Sequence, residues 1–281
     1  MLNNTTKKEA LAFHERAVNR YNDIVGEVQK SGLKLYELRK ESKVKIEIGE
    51  NLVNSIANTP KELNAKLVKI ETNTITFRNT ENYAQEAYQN AIKSGIGVAA
   101  GVGAGAVAAT LAPTAAMWVA TTFGTASTGA AISSLSGAVA TKAALAWLGG
   151  GALAAGGAGI VGGKALLALA GPIGWGIAAA VAGGNMIFLS SRNKKIAEQA
   201  INEAKTITFA GAQLEETGAK IEQLIKKTES LLDMFENQLV ELRSLKGCNY
   251  SDISSDEQLQ LGTLVNNALS LSELLNKTVD S

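Results

Sequence analysis

Between Lys93 and Arg192 this chain carries only two charges, Lys142 and Lys164, and no acidic residue occurs from Ala87 to Ala197. That interval, the 98 residues 94–191, holds 21 of the 28 glycines and all three tryptophans, Trp118, Trp147 and Trp175. It opens SGIGVAAGVGAGAVAATLAP and closes GPIGWGIAAAVAGGNMIFL. A helix on a soluble core turns one apolar face inward and one polar face to water. This segment has almost no polar face to offer. It reads as a stretch that lives in a bilayer, or is carried hidden until it meets one.

Pro113, the Gly149-Gly150-Gly151 run and Pro172 divide the interval into candidate apolar helices near 95–112, 130–148, 152–170 and 173–189. The first and last are about 17 residues, the lower limit for spanning a hydrocarbon layer of about 30 Å. Gly97, Gly101 and Gly105 repeat every four residues, as do Gly159 and Gly163, and Gly176, Ala180 and Gly184. Small residues at that spacing let helix backbones touch in lipid. Lys93 on one border and Arg192, Lys194 and Lys195 on the other fit an even number of spans, with both borders on one side. Trp118, Trp147 and Trp175 suit either interface anchors or core filling. A bland alternative stands beside the membrane one: a helix apolar all round also occurs at the centre of a large soluble bundle.

Polar arms flank this centre. Leu11, Val18, Tyr21, Val25 and Val28, then Leu35, Leu38, Ser42, Ile46, Gly49, Val53 and Ile56, make a heptad-like seam with one stutter. Thr59-Pro60-Lys61-Glu62 punctuates it, with threonine as cap, proline at the first helical position and a glutamate for a capping box. The next helix carries Leu63, Leu67, Ile70, Thr74, Phe77, Ala84 and Tyr88 on one face. In the second arm, 192–247, the seam runs from Ala197, Ala200 and Ala204 through Ile207, Gly211, Leu214, Gly218, Ile221 and Ile225 to Thr228, Phe235 and Leu242. Small residues crowd its start and large ones its end. Uninterrupted, such a helix is roughly 80 Å long at about 1.5 Å per residue. Gly247-Cys248-Asn249 is the expected stop, and Ser255-Asp256-Glu257-Gln258 caps a last helix bearing Leu261, Leu264, Val265, Ala268, Leu271 and Leu275.

Chemistry-bearing patterns are scarce. With 27 basic and 26 acidic residues interspersed and a net charge of +1, the chain makes no electrostatic case for nucleic acid. The single cysteine, Cys248, excludes an intrachain disulfide framework and fits a reducing compartment. Gly157–Gly162 matches GxGxxG, but a dinucleotide site wants an acid roughly 20 residues on, and the next acid is Glu198. Gly162-Gly163-Lys164 ends like a phosphate loop, yet Ala158 stands where glycine is required and Ala165 where Ser or Thr is. His14 has no cysteine or zinc partner in sequence, and Glu215-Glu216 reads as a solvated helix face. No catalytic, cofactor or metal constellation emerges, so an enzyme is not expected.

Long amphipathic helices on both sides of the apolar insert Gly95–Leu189 resemble the α-helical pore-forming toxins of the cytolysin A and tripartite-enterotoxin type. The resemblance is one of layout: arm, insert, arm. It implies a rod of long helices carrying a hydrophobic head that unfolds onto a membrane while the rods assemble into a ring. Within Thr121–Gly163, the run ALAWLGGGALAAGGAGIVGG is also similar to glycine-zipper segments of small interferon-inducible membrane proteins and of bacterial membrane-depolarising toxins.

The expectation is therefore an all-α chain, an elongated bundle of long amphipathic, coiled-coil-like helices with a Gly/Ala-rich hydrophobic helical head. It divides into a first arm (1–93), the head (94–191) and a second arm (192–281). The arms are expected to pack side by side as antiparallel rods. The expected activity is membrane insertion and oligomerisation with pore formation or depolarisation, the alternative being a membrane-anchored helical scaffold that opens nothing. Lys142 and Lys164 are the candidate pore-lining residues, because a charge facing lipid is costly. The implied partners are a lipid bilayer, further copies of the chain and, through the toxin resemblance, companion toxin subunits. The start MLNNTTKKEALAF lacks the apolar stretch of a secretory signal, so synthesis in the cytoplasm is expected, followed by membrane association or release.

Overall fold

The apolar stripes that punctuate this sequence become the buried faces of long helices. Helix α1 (Leu2–Asn54) and helix α2 (Lys61–Lys93) precede the apolar interval, α3 (Pro113–Phe123) and α4 (Gly137–Leu148) lie inside it, and α5 (Met186–Glu241) and α6 (Ser255–Asn276) follow. The structure, a computed structural model, describes residues 2–93, 113–124, 126, 130–148 and 186–279. Among them the fold is all-α, with short 3-10 turns at Ile132–Ser134 and Leu242–Leu245 and no strand. The expected helices 95–112, 152–170 and most of 173–189 lie outside the described residues. The helix expected over 130–148 is shorter, and α3, which no expected helix covered, starts on Pro113.

Packing groups the chain into two units, Met1–Lys30 with Gln85–Gly218 and Ser31–Ala84 with Ala219–Ser281. The division at 93 and 191 follows composition; this one follows contacts, and each unit draws on both arms.

In the second unit α1, α2, α5 and α6 form a four-helix bundle. Ile46, Ile70, Phe77, Ile225, Phe235 and Leu271 are buried in it, all of them on stripes predicted as core faces. Polar contacts between neighbours set the directions. Ser31, Lys34 and Lys45 of α1 meet Glu222 (2.5 Å), Glu229 (2.8 Å) and Glu236 (2.7 Å) of α5 in step, so these helices run parallel. Lys43 meets Glu81 at 2.9 Å and Glu47 meets Arg78 at 3.4 Å, so α2 runs back along α1. Helix α6 advances with α2, Lys66 donating to Asn266 (2.6 Å) and Asn73 to Ser272 (3.0 Å). The expectation of antiparallel rods holds for α1 and α2 and is corrected for α1 and α5. In consequence the chain leaves this unit at Ala84 and re-enters it at Ala219 at the same end.

At the other end of that unit the two turns lock together. The Ala57 N–H donates to the Cys248 carbonyl (2.9 Å), Tyr250 N–H to the Ala57 carbonyl (2.8 Å) and Gly247 N–H to Ser55 Oγ (3.1 Å). Gly247 has φ of +79°, a conformation that glycine adopts at little cost, and it stops the helix where the sequence puts the stop. Two caps fall slightly aside from expectation. The Thr59 hydroxyl donates to the Asn64 side chain, and the Pro60 carbonyl accepts from the Leu63 (3.1 Å) and Asn64 (3.3 Å) N–H groups in the first turn of α2. Ser254, one residue before the expected Ser255, caps α6.

In the first unit α1 and α5 again run in step. His14 Nε2 lies 3.3 Å from Glu203 Oε2, and Arg20 pairs with Glu215 at 3.0 Å. The small residues expected near the start of the second arm are used for close approach. Ala197 and Ala200 pack on Ala10, and a Cβ at Gly218 would stand 3.0 Å from Val28.

Candidate functional site

The described part of the apolar interval is a helical hairpin, α3–turn–α4, built with almost no polar side chains. Helix α3, PTAAMWVATTF, has no charge, and Ala115 through Thr121 are all buried. A helix apolar on every side has to be enclosed on every side, and α3 is. The buried hydroxyl of Thr121 is satisfied within the helix by donation to the Met117 carbonyl at 2.9 Å.

The hairpin closes on an intimate contact. At the end of α3 the Gly124 N–H donates to the Ala120 carbonyl (2.9 Å), and the Gly124 carbonyl accepts from Ile132 N–H (2.9 Å). Ala126 N–H donates to the Ala130 carbonyl at 2.8 Å, drawing the turn together. A Cβ on Gly124 would lie 2.3 Å from the Ala120 oxygen, 2.9 Å from Ile132 Cδ1 and 3.1 Å from Trp147 Cγ. Only a residue without a side chain lets α4 seat its tryptophan here.

Helix α4 shows two faces. Ala140, Ala144 and Trp147 recur at steps of four and three and are buried, whereas Val139 and Lys142 are exposed. Trp118 and Trp147 are 1 % and 3 % exposed, so both fill a core in this conformation; Trp118 also meets Phe123 edge to face at 5.6 Å. Lys142 projects from the solvent side of α4, away from the buried alanines. The remaining candidates, Gly97, Gly101, Gly105, Gly159, Gly163, Lys164, Trp175, Gly176 and Gly184, lie outside the described residues, as do both glycine-rich nucleotide look-alikes.

Elsewhere the chemistry stays sparse. His14 is buried beside Glu203 and lines a cleft with Lys8, Glu15 and Asn19, none of them a serine or cysteine nucleophile. Cys248 is a free, half-buried thiol 3.8 Å from the Ser244 carbonyl. Among the described residues no group of His, Cys, Asp and Glu side chains is arranged to hold a metal ion. Sequence reasoning missed Arg39, which is fully buried and donates from Nη2 to the Lys277 carbonyl (2.6 Å) at the C-terminus of α6. Burial pushes its guanidinium pKa down to about 9. The seam predicts Leu38 there, and nothing in the local pattern distinguishes Arg39 from a solvated charge.

No protein family, curated protein or solved structure matches this chain.

Proposed function

We propose that this protein inserts into membranes and oligomerises there, opening a pore or depolarising the bilayer. The observation that carries the reading is the interval 94–191, with two lysines and no acid in 98 residues. Two features support it. The described hairpin keeps most of α3, Trp118 included, and the Ala140-Ala144-Trp147 face of α4 packed on protein, which lets an apolar segment exist in water before it meets lipid. The four-helix unit sends the chain out at Ala84 and takes it back at Ala219 on one end, as an inserted hairpin requires. Insertion then exchanges the hairpin's internal contacts for lipid, and small-residue faces such as Gly97-Gly101-Gly105 bring neighbouring helices together.

A second reading has its own observation. Among the described residues no helix is long and apolar enough to cross a membrane. At about 1.5 Å per residue, α3 and α4 reach roughly 17–18 Å, against about 30 Å of hydrocarbon. That favours a scaffold held at the membrane without opening it. Purified protein added to dye-loaded liposomes, with flotation in parallel, separates the two. Flotation with dye release supports the pore. Flotation without release supports the anchor, and protein that does neither overturns both.

A further inference from the structure

In the second unit a cleft of about 590 Å³ runs between the C-terminal half of α1 and the N-terminal half of α2. Glu47 and Glu50 from α1 and Glu71 and Arg78 from α2 are the charged residues that line it, and neither α5 nor α6 contributes a lining residue. Three carboxylates thus share one cation, and that cation is taken: Arg78 Nη2 lies 3.4 Å from Glu47 Oε1. Glu50 is half-buried beside Leu67, Val68 and Ile75 and makes no hydrogen bond or ion pair among the described residues. Two further carboxylates, Glu47 and Glu71, line the same cleft.

We propose that this cleft is a proton-operated clamp, in which protonation of Glu50 tightens α2 onto α1 and ionisation loosens it. An ionised Glu50 has to be held partly out of water against Glu71 and Glu47, whereas the neutral acid meets neither penalty. Those same causes, burial first, then Glu71, then Glu47, push the Glu50 carboxyl up to about 7 from an ordinary value of 4.5. Because the folded form holds the proton more tightly than the unfolded chain, the stabilisation is fully present below the ordinary carboxyl value. It is lost as pH rises through about 7. Acid therefore closes the clamp, and neutral to alkaline medium releases the helix whose far end leads into the apolar interval. The clamp rests on the geometry of this unit alone and does not depend on what the apolar interval does.

The test is thermal unfolding of the full chain, parent against Glu50→Gln, from pH 5 to pH 9. The parent is expected to melt with or above Glu50→Gln at pH 5 and to fall below it by about 2–4 °C above pH 8, crossing near neutrality. A difference between the two that is constant with pH overturns the proposal. Glu71→Gln keeps it falsifiable should Glu50→Gln fold poorly. Removing Glu71 takes away the largest charge effect, so the parent's pH-dependent step is expected to move to lower pH. A step that stays where it was, or no step in the parent, also overturns the clamp.

Discussion

Gly124 shows how one absent side chain organises the hairpin. Any Cβ there meets a backbone carbonyl at 2.3 Å, and backbone cannot rotate away as a flexible side chain can. Gly124→Ala is expected to destabilise the α3–α4 hairpin by about 1–3 kcal/mol, the usual cost of overpacking. Near-ultraviolet circular dichroism followed through a urea titration measures it, since Trp118 and Trp147 lose their fixed surroundings. An unchanged tryptophan signal and midpoint would mean the turn relaxes freely. Arg39 makes the converse point. Its charge belongs on a surface by type, yet it is buried where the carbonyl end of α6 arrives to receive it.

Among the elements, the arms follow their stripes almost residue for residue because a period near 3.5 admits one buried face. All six apolar positions expected on α6 are buried. Its start is fixed by a reciprocal pair: Ser254 N–H donates to Glu257 Oε2 (2.8 Å) and Glu257 N–H to Ser254 Oγ (3.2 Å). Hydrogen bonding to Ser254 holds the Glu257 carboxyl below its ordinary value. Ser254→Ala removes one half of that box and is expected to cost about 1 kcal/mol, read as a lower urea midpoint at unchanged slope. Ser255→Ala, one position on, is the control and should leave the midpoint alone. Gly49 on α1 shows the same economy as Gly124, since a Cβ there would stand 2.7 Å from Phe235 Cζ on α5.

For the protein entire, the discriminating question is whether the two central lysines meet water once membranes are present. Lys142 is on the exposed face of α4, so its charge is already solvated before any insertion. A pore that keeps Lys142 or Lys164 in its lumen repels cations. The double variant Lys142→Leu/Lys164→Leu is then expected to bind liposomes as the parent does and to shift the reversal potential across a planar bilayer in a salt gradient. Conductance with identical selectivity in both proteins would keep the pore and take these lysines out of it. Membrane binding with no conductance in either would favour the anchor.

Much of this is legible in the sequence alone. Helix content, the stop at Gly247, the faces of α2, α5 and α6 and the gradient from alanine to phenylalanine along α5 all follow from local periodicity, which a single helix expresses alone. The apolar interval was equally plain, because absence of charge needs no partner to be seen. What the chain pattern could not supply were relations between residues far apart. That α1 and α5 run parallel depends on which helix returns beside which. That Arg39 is buried depends on a carbonyl 238 residues away, and that Glu50 lacks a cation depends on Arg78 having chosen Glu47. Such facts arise when side chains compete for the same partners across helices, and a period of 3.5 carries no record of that competition.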